Sequence, residues 1–290
     1  MKQITKAVIP AAGFGTRLLP LTKAQPKELL PVVDKPAIQY IVEEMVASGI
    51  RTIIIVTTGD KSAIEDHFDI NPHLEEYLER NGKIELLAMI RRISQMADFI
   101  FIRQKGPYGN GTPVLNARVA IGDEPFAVIW GDDIVEGAKP RLKQLIEVYY
   151  RYESPVLTAY PVDDEGTKKY GIIEGEEIEP GVFRVRDIVE KPGPEKTSSR
   201  IASIGGYILT PDIFQALEKT PLGKNNELWL VDAIFNLAKR RPVYAYMIKG
   251  VHYDIGSRIG WLKTNIELGL KNKEISVELR NYLKEIVNKI

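Results

Sequence analysis

The feature that most constrains the fold is an unbroken run of β-branched residues, Thr52-Ile-Ile-Ile-Val56. A strand with apolar side chains on both faces must be covered on both faces, which is typical of a parallel sheet flanked by helices. A short apolar segment at residues 6–10 and a helix-spaced segment at residues 36–48 precede this run. The order strand, helix, strand predicts a right-handed βαβ unit. We therefore expect an α/β fold.

The alternation of strands and helices continues along the chain. Apolar periodicity predicts further strands at 98–103, 126–130, 156–160 and 243–248, and helices at 84–96, 140–152, 211–219 and 228–240. The motif Ser62-Ala-Ile-Glu65 fits a capping box that opens another helix. Between residues 171 and 209 short β segments dominate, punctuated by Gly and Pro. These patterns predict one α/β domain with a mixed sheet and a β-rich insertion.

The C-terminal segment has an amphipathic helical pattern. Leu279, Leu283, Ile286 and Ile290 recur at the spacing of one apolar helix face. Such a stripe more often packs on the core, and a subunit interface is the alternative. We expect a main domain over residues 1–270 and an amphipathic helical tail over residues 271–290.

Composition excludes several classes of function. Lys plus Arg and Asp plus Glu are equal at 39 each, so the chain lacks the basic excess that is typical of nucleic-acid binding. No apolar run approaches the ~18 residues of a membrane span, and the N-terminus has no signal-peptide pattern. We therefore expect no nucleic-acid partner, no membrane association and a cytoplasmic location.

The sequence has no cysteine, which rules out disulfides, Cys-ligated zinc, iron–sulfur clusters and thiol nucleophiles. The three histidines, His67, His73 and His252, share no metal-ligand spacing. We interpret them as surface or hydrogen-bonded side chains. A metal would then be held by oxygen ligands, which favours Mg²⁺.

A glycine loop follows the first predicted strand. It reads Ala11-Ala12-Gly13-Phe14-Gly15-Thr16-Arg17-Leu18 and lacks the third glycine of a dinucleotide-binding fingerprint, where Leu18 stands instead. Glycines at this place let backbone N–H groups approach phosphate oxygens, and Arg17 can clamp a phosphate. Lys27, ten residues later on a proline-flanked loop, can converge on the same anion. A tight turn and a solvated basic loop are the alternatives.

A second polar segment follows the strand at residues 126–130. Trp130-Gly131-Asp132-Asp133 lies where ligands of open α/β sheets bind. A carboxylate there is a good ligand for the Mg²⁺ of a triphosphate, and a loop Asp that caps the next turn is the alternative.

Two segments resemble the signature of the sugar-1-phosphate nucleotidylyltransferases: Ala12-Gly-Phe-Gly-Thr-Arg-Leu-Leu-Pro-Leu-Thr22 and Pro26-Lys-Glu-Leu-Leu-Pro-Val32. Further matches are Arg103-Gln104, Gly122-Asp-Glu-Pro-Phe-Ala-Val128, Tyr170-Gly171, Val189-Glu190-Lys191-Pro192, Gly205-Gly206-Tyr207, Asp232-Ala-Ile234 and Asp254-Ile-Gly256. The resemblance spans residues 5–270 in the family's order. The pair Lys27-Glu28 favours the bacterial and archaeal branch that uses UTP and glucose 1-phosphate.

The resemblance implies a Rossmann-like nucleotidyltransferase fold, with a central mixed, mostly parallel sheet flanked by helices and a β-rich sugar-binding insertion. It implies Mg²⁺-dependent transfer of a uridylyl group from UTP to glucose 1-phosphate by a homo-oligomer, a dimer or tetramer. A thymidylyltransferase that uses dTTP is the alternative within the family, and a non-catalytic sugar-nucleotide-binding paralogue is the alternative outside catalysis. The segment Gly109-Asn-Gly111-Thr112-Pro113 departs from the family's usual Gly-x-Gly-His-Ala, which bears on the shape of the nucleoside pocket.

The resemblance also implies roles for individual residues. The catalytic residues would be Arg17, Lys27 and Asp132, with Asp132 and Asp254 holding the metal. Gln104 would read the uracil edge, because an amide offers both a donor and an acceptor. The role of Asp133 stays open, with contact to the ribose or to water as one alternative. The other nucleotide-binding residues would be Ala11, Ala12, Gly13, Gly15, Thr16, Glu28, Gly109 and Gly111, and the sugar phosphate would be bound by Gly171, Glu190, Lys191 and Gly205.

Overall fold

The computed structural model describes residues 2–289 and, of Lys224, the backbone alone. Its strands are β1 (Lys6–Pro10), β2 (Pro31–Val32), β3 (Lys35–Pro36), β4 (Thr52–Thr57), β5 (Asp98–Arg103), β6 (Phe126–Val128), β7 (Asp133–Glu136), β8 (Val156–Pro161), β9 (Gly171–Glu179), β10 (Val182–Glu190), β11 (Ile201–Leu209), β12 (Tyr244–Met247) and β13 (Val251–Asp254). Its α-helices are α1 (Ala37–Ala47), α2 (Ser62–Phe68), α3 (Pro72–Arg80), α4 (Ile84–Ser94), α5 (Gly111–Asn116), α6 (Arg118–Ile121), α7 (Arg141–Tyr152), α8 (Asp164–Thr167), α9 (Asp212–Lys219), α10 (Leu230–Ala238), α11 (Arg258–Gly269) and α12 (Ser276–Val287).

Nine strands form the main sheet, in the order β5-β4-β1-β6-β11-β8-β12-β10-β9. The first four are parallel neighbours, as the apolar run in β4 predicts. Within this sheet β10 and β11 run against the other strands. The prediction of a mixed, mostly parallel sheet is therefore confirmed.

The core lies on both faces of this sheet. Along β4, Ile53 and Ile55 enter one apolar cluster, whereas Ile54 and Val56 enter the other. This alternation follows from the two-residue period of a strand. Helices α1 and α7 supply residues to the first cluster, and α5, α9 and α10 supply the second.

The β-rich segment is confirmed as three strands, β9, β10 and β11, which join the main sheet rather than form a sheet of their own. Strand β11 lies between β6 and β8, while β9 and β10 extend the far edge. The sugar half of the predicted site therefore shares one sheet with the nucleotide half.

One local prediction is wrong, and one helix was not predicted. Ser62 is the first residue of α2, so Lys61 occupies the N-cap position and no side chain caps this helix. The sequence pattern also missed α3, although the Asn71 side chain caps it by accepting from the Leu74 N–H, and Pro72 opens it.

The C-terminal stripe does not pack on the core. Helix α12 contains no buried residue, and Leu279, Leu283 and Ile286 are half-buried; Ile290 lies outside the described residues. The expectation of core packing is therefore wrong, because the helix lies on the surface. The alternative, a subunit interface, stays a prediction. Between residues 2 and 289, no helix combines the length and the apolar character that crossing a bilayer requires.

Candidate active site

The glycine loop leaves the carboxyl end of β1 and presents unpaired N–H groups. Gly15 has a φ of 66°, and a Cβ there would come 3.1–3.2 Å from Thr22 and Lys27, so glycine suits both the backbone and the space. The Thr22 hydroxyl donates to the Gly15 carbonyl at 2.8 Å. Among the described residues, no acceptor receives the N–H groups of residues 12–16. Successive free N–H groups of this kind form an anion-binding concavity.

Lys27 and Asp132 meet beside this loop. Lys27 opens a 3₁₀ turn, Lys27–Leu29, and its ammonium lies 2.6 Å from Asp132 Oδ2. Burial disfavours the charged ammonium, but Asp132 and Glu28 outweigh it and hold the pKa of Lys27 above its ordinary value. Lys27 therefore carries a positive charge at neutral pH, directly beside a carboxylate.

Glu28, predicted to contact the nucleotide, is fully buried. Its carboxylate lies 3.0 Å from the ammonium of Lys61, which also donates to the carbonyls of Ala11 and Gly13. Burial raises the pKa of Glu28, and Lys27 and Lys61 act in the opposite direction. Sequence reasoning missed Lys61, because nothing in its local sequence signals a partner 33 positions away.

Asp254 connects the glycine loop to the sugar half of the site. Its Oδ1 accepts from the Gly256 N–H at 2.8 Å, and its Oδ2 accepts from the Tyr170 hydroxyl at 3.1 Å. Arg17 lies next to Gly256, where a Cβ would come 2.7 Å from the guanidinium. The pKa of Tyr170 is raised by burial and by Asp254. The chain thus brings Arg17, Asp254 and Tyr170 together from three distant segments.

Asp132 and Asp254, the residues expected to hold a metal, both offer carboxylate oxygens, the donor type that Mg²⁺ prefers. Asp133 and Asp254 are direct cross-strand partners in the β7–β13 ladder, so Asp132 lies one residue from this pairing. The Lys27 ammonium donates to Asp132 Oδ2, and no group in the described part of the chain donates a hydrogen bond to Oδ1. Residues 2–289 contain no cluster of three acidic or histidine side chains that could hold a metal. Two carboxylates, completed by phosphate oxygens and water, match the usual binding of Mg²⁺.

Asp133 belongs to the interior. It is buried, 2.8 Å from His252 and 3.3 Å from Arg141, and Arg141 in turn pairs with Glu44 at 3.0 Å. Burial disfavours the carboxylate, but His252 and Arg141 outweigh it and hold the pKa of Asp133 below its ordinary value. The structure therefore places protein groups around Asp133, whose role the sequence left open. His252 is hydrogen-bonded, as predicted.

Gln104 lies at the same edge of the sheet as the glycine loop, because it follows β5, which runs parallel to β4 and β1. Its N–H donates to the Thr57 carbonyl at 2.8 Å, and the residue is half-buried. Gln104 thus lies near the carboxyl ends of β4 and β5.

Gly109 and Gly111 pack against another backbone segment. Gly109 has a φ of 117°, and a side chain on it would overlap the backbone of Leu228. The Leu228 N–H donates to the Tyr108 carbonyl at 2.8 Å, and the Gly111 N–H donates to the Leu228 carbonyl at 2.9 Å. These glycines are therefore needed for close backbone packing. Thr112, where the family usually has His, is buried.

The sugar half gathers Gly171, Glu190 and Lys191. Gly171 is the cross-strand partner of Glu190, and a Cβ on Gly171 would come 3.2 Å from that carboxylate. Lys191 has a φ of 47°, unusual for a residue with a side chain, and its ammonium lies 3.4 Å from Glu190. Burial raises the pKa of Glu190, which Lys191 partly offsets. Gly205 is buried against Asp133 and Trp130, so its missing side chain makes room for internal packing.

Comparison with known proteins points to one family. Residues 6–268 match the family model described as nucleotidyl transferase. The chain is 47% identical over 289 residues to the UTP–glucose-1-phosphate uridylyltransferase of Bacillus subtilis (strain 168), covering 100% of this chain and 99% of the relative. It is 48% identical over 286 residues to the protein of the same name from Staphylococcus haemolyticus (strain JCSC1435), covering 99% of each.

Solved structures are similar over most of the chain. A UDP-glucose pyrophosphorylase complexed with UDP-glucose superposes with a TM-score of 0.85 at 42% identity, covering 93% of this chain and 100% of that one. A UTP-bound enzyme of the same kind from Acinetobacter baumannii gives a TM-score of 0.90 at 37% identity, covering 98% and 99%.

Proposed function

Since the chain belongs to the nucleotidyl transferase family, we propose that it transfers the uridylyl group of UTP to glucose 1-phosphate, giving UDP-glucose and pyrophosphate. The observation that carries the proposal is the pairing of Lys27 with Asp132 at 2.6 Å beside a loop of free backbone N–H groups. This arrangement suits a polyphosphate, because it offers backbone donors, a cation and a carboxylate for a metal at one edge of the sheet.

The chemistry requires little beyond positioning and charge. An oxygen of the ionised sugar phosphate attacks the α-phosphorus of UTP; the new P–O bond forms as the bond to the β-phosphate breaks, and pyrophosphate leaves. No general base is needed, because the attacking oxygen carries no proton. Repulsion between two anions is the obstacle, so fixed cations should lower the barrier. We assign this role to Arg17, Lys27 and Lys191.

The loop residues Ala11, Ala12, Gly13, Gly15 and Thr16 would present N–H groups to the triphosphate. Asp132 and Asp254 would hold Mg²⁺, which when bound supplies positive charge to the phosphate oxygens. Gln104 would read the uracil edge, with Gly109 and Gly111 shaping the pocket around it. Glu28 would support the loop from below and not contact the nucleotide directly, since its carboxylate is buried in an ion pair with Lys61.

Glucose 1-phosphate would bind at the far half of the site. Glu190 would accept from the hexose hydroxyls, Lys191 would meet the sugar phosphate, and Gly171 would leave room for the hexose opposite Glu190. Gly205 would support the sugar site indirectly, because its missing side chain leaves room for Asp133 and Trp130. The proposal also includes a homo-oligomer in the cytoplasm. Each chain would consist of a nucleotidyltransferase domain over residues 1–270 and a helical tail over residues 271–290.

The decisive experiment measures pyrophosphate release across UTP, dTTP, CTP and ATP, each with several sugar 1-phosphates, with Mg²⁺ and with EDTA. We expect UTP with glucose 1-phosphate to give the highest kcat/KM and EDTA to abolish release. A preference for dTTP would instead support the thymidylyltransferase alternative. Absence of release from every pair would contradict catalysis and favour a binding paralogue.

A further inference from the structure

Lys61 places its charge entirely inside the protein. The residue is 5% exposed, and its ammonium donates to the Ala11 carbonyl at 2.7 Å, the Gly13 carbonyl at 2.6 Å and the Glu28 carboxylate at 3.0 Å. An ammonium has three donors, so these three acceptors use all of them. Burying a charge is costly without such partners. Lys61 is therefore held in one arrangement.

This arrangement orients the glycine loop. In a trans peptide the carbonyl and the N–H of the next residue point in opposite directions. Because Lys61 draws the carbonyls of Ala11 and Gly13 toward itself, the N–H groups of Ala12 and Phe14 point away from it. These two N–H groups have no acceptor among the residues that the structure describes. Lys61 thereby turns two unpaired donors toward the side of the loop that faces away from it.

The same ammonium also fixes the other wall of the site. Glu28 is 0% exposed, and its side chain packs against Gly131. A Cβ on Gly131 would come 2.9 Å from Glu28 Cγ. Glu28 directly follows Lys27, and Gly131 directly precedes Asp132. The Lys61–Glu28 pair is therefore packed under both members of the Lys27–Asp132 pair. Without Lys61, a buried carboxylate would lose its nearest counter-charge.

We propose that Lys61 is a positioning residue for the triphosphate: it never touches substrate, but it sets the two loop N–H groups and, through Glu28, the Lys27–Asp132 pair. The inference rests on the proposed function in taking the loop's ligand to be a nucleoside triphosphate. Its consequence is specific to one substrate. Loss of Lys61 should weaken the binding of UTP and pyrophosphate and leave glucose 1-phosphate largely unaffected.

The test uses Lys61→Met and the double variant Lys61→Met/Glu28→Gln. The double variant removes the carboxylate that the single change leaves uncompensated, so we expect it to fold even if the single variant does not. Calorimetry measures the binding of UTP and, separately, of inorganic pyrophosphate, each with Mg²⁺, and steady-state kinetics measures both KM values. The control is Lys35→Met/Glu43→Gln, which removes a partly exposed ion pair between β3 and the middle of α1.

In the double variant we expect UTP and pyrophosphate to bind about tenfold to hundredfold more weakly, the effect of losing one or two charge-assisted hydrogen bonds. The KM for glucose 1-phosphate should stay within about threefold, and the control should match the parent. Unchanged binding of UTP and pyrophosphate, or equal increases in both KM values, overturns the proposal. If the parent protein binds these ligands without releasing pyrophosphate, the proposed function fails, and the calorimetric comparison still decides the role of Lys61.

Discussion

The two halves of the candidate site hold their charges in different ways. In the nucleotide half, Lys27 and Asp132 have side chains only 21% and 13% exposed and lie 2.6 Å apart. In the sugar half, Lys191 and Glu190 are 50% and 33% exposed and 3.4 Å apart. A pair shielded from water interacts more strongly and is less free to move. We therefore expect the nucleotide half to be preorganised and the sugar half to rearrange around its ligand.

The largest effect should come from the centre of the preorganised half. Asp132→Asn keeps the shape of the side chain but removes the charge that faces Lys27 and the proposed Mg²⁺. We expect kcat to fall roughly a thousandfold or more, because losing a metal-ligand charge costs several kcal/mol of transition-state stabilisation. Pyrophosphate release at saturating Mg²⁺ measures it, with the exposed Asp123→Asn as control. Near-normal turnover would remove Asp132 from the mechanism.

Lys27→Ala should be nearly as damaging. It removes a partly buried cation from the proposed phosphate site and leaves Asp132 without its ion-pair partner, so we expect kcat to fall about a hundredfold with UTP. Lys23→Ala, an exposed lysine on the preceding 3₁₀ turn, is the control and should behave as the parent. A Lys27 variant with intact kcat would mean that the charged pair is structural.

Base recognition tests how far the preorganisation extends. If Gln104 reads the uracil edge, CTP presents the opposite donor and acceptor pattern and leaves two buried polar groups unpaired. At about 1–3 kcal/mol each, this predicts a discrimination of a hundredfold or more. dTTP differs by one methyl group and one ribose hydroxyl, so we expect it to rank second, with measurable turnover. Initial rates at subsaturating nucleotide give the ranking, and equal rates for CTP and UTP would overturn the role of Gln104.

The smallest effect should come from the sugar half. Lys191→Ala removes a half-exposed cation, so we expect the KM for glucose 1-phosphate to rise about tenfold while kcat and the KM for UTP change little. The exposed Lys196→Ala, in the same loop, is the matched control. If Lys27→Ala and Lys191→Ala affected both substrates equally, the two lysines would act as one cluster, and the contrast between the halves would be lost.

Most of the fold could be predicted from local patterns. The apolar run in β4 predicted a strand buried on both faces, since the two-residue period of a strand sends alternate side chains to opposite faces. The loop after β1 could be predicted from its glycines, and Asp132 from its place after an apolar strand. The capping box at Ser62 failed because α2 begins at that residue, which puts Lys61 at the N-cap; a local motif does not fix a helix end to a single residue.

What the sequence by itself determined is the set of elements, the glycine loop and the residue types that chemistry on phosphates requires. Only the tertiary structure decided that Lys61 lies under the loop on Glu28, that Arg141 meets Glu44 97 positions away, and that Asp133 faces inward while its neighbour Asp132 pairs with Lys27. The physical reason is that a buried charge is stable only beside a partner. That partner comes from whichever distant strand or helix the packing brings close, and local sequence does not encode it.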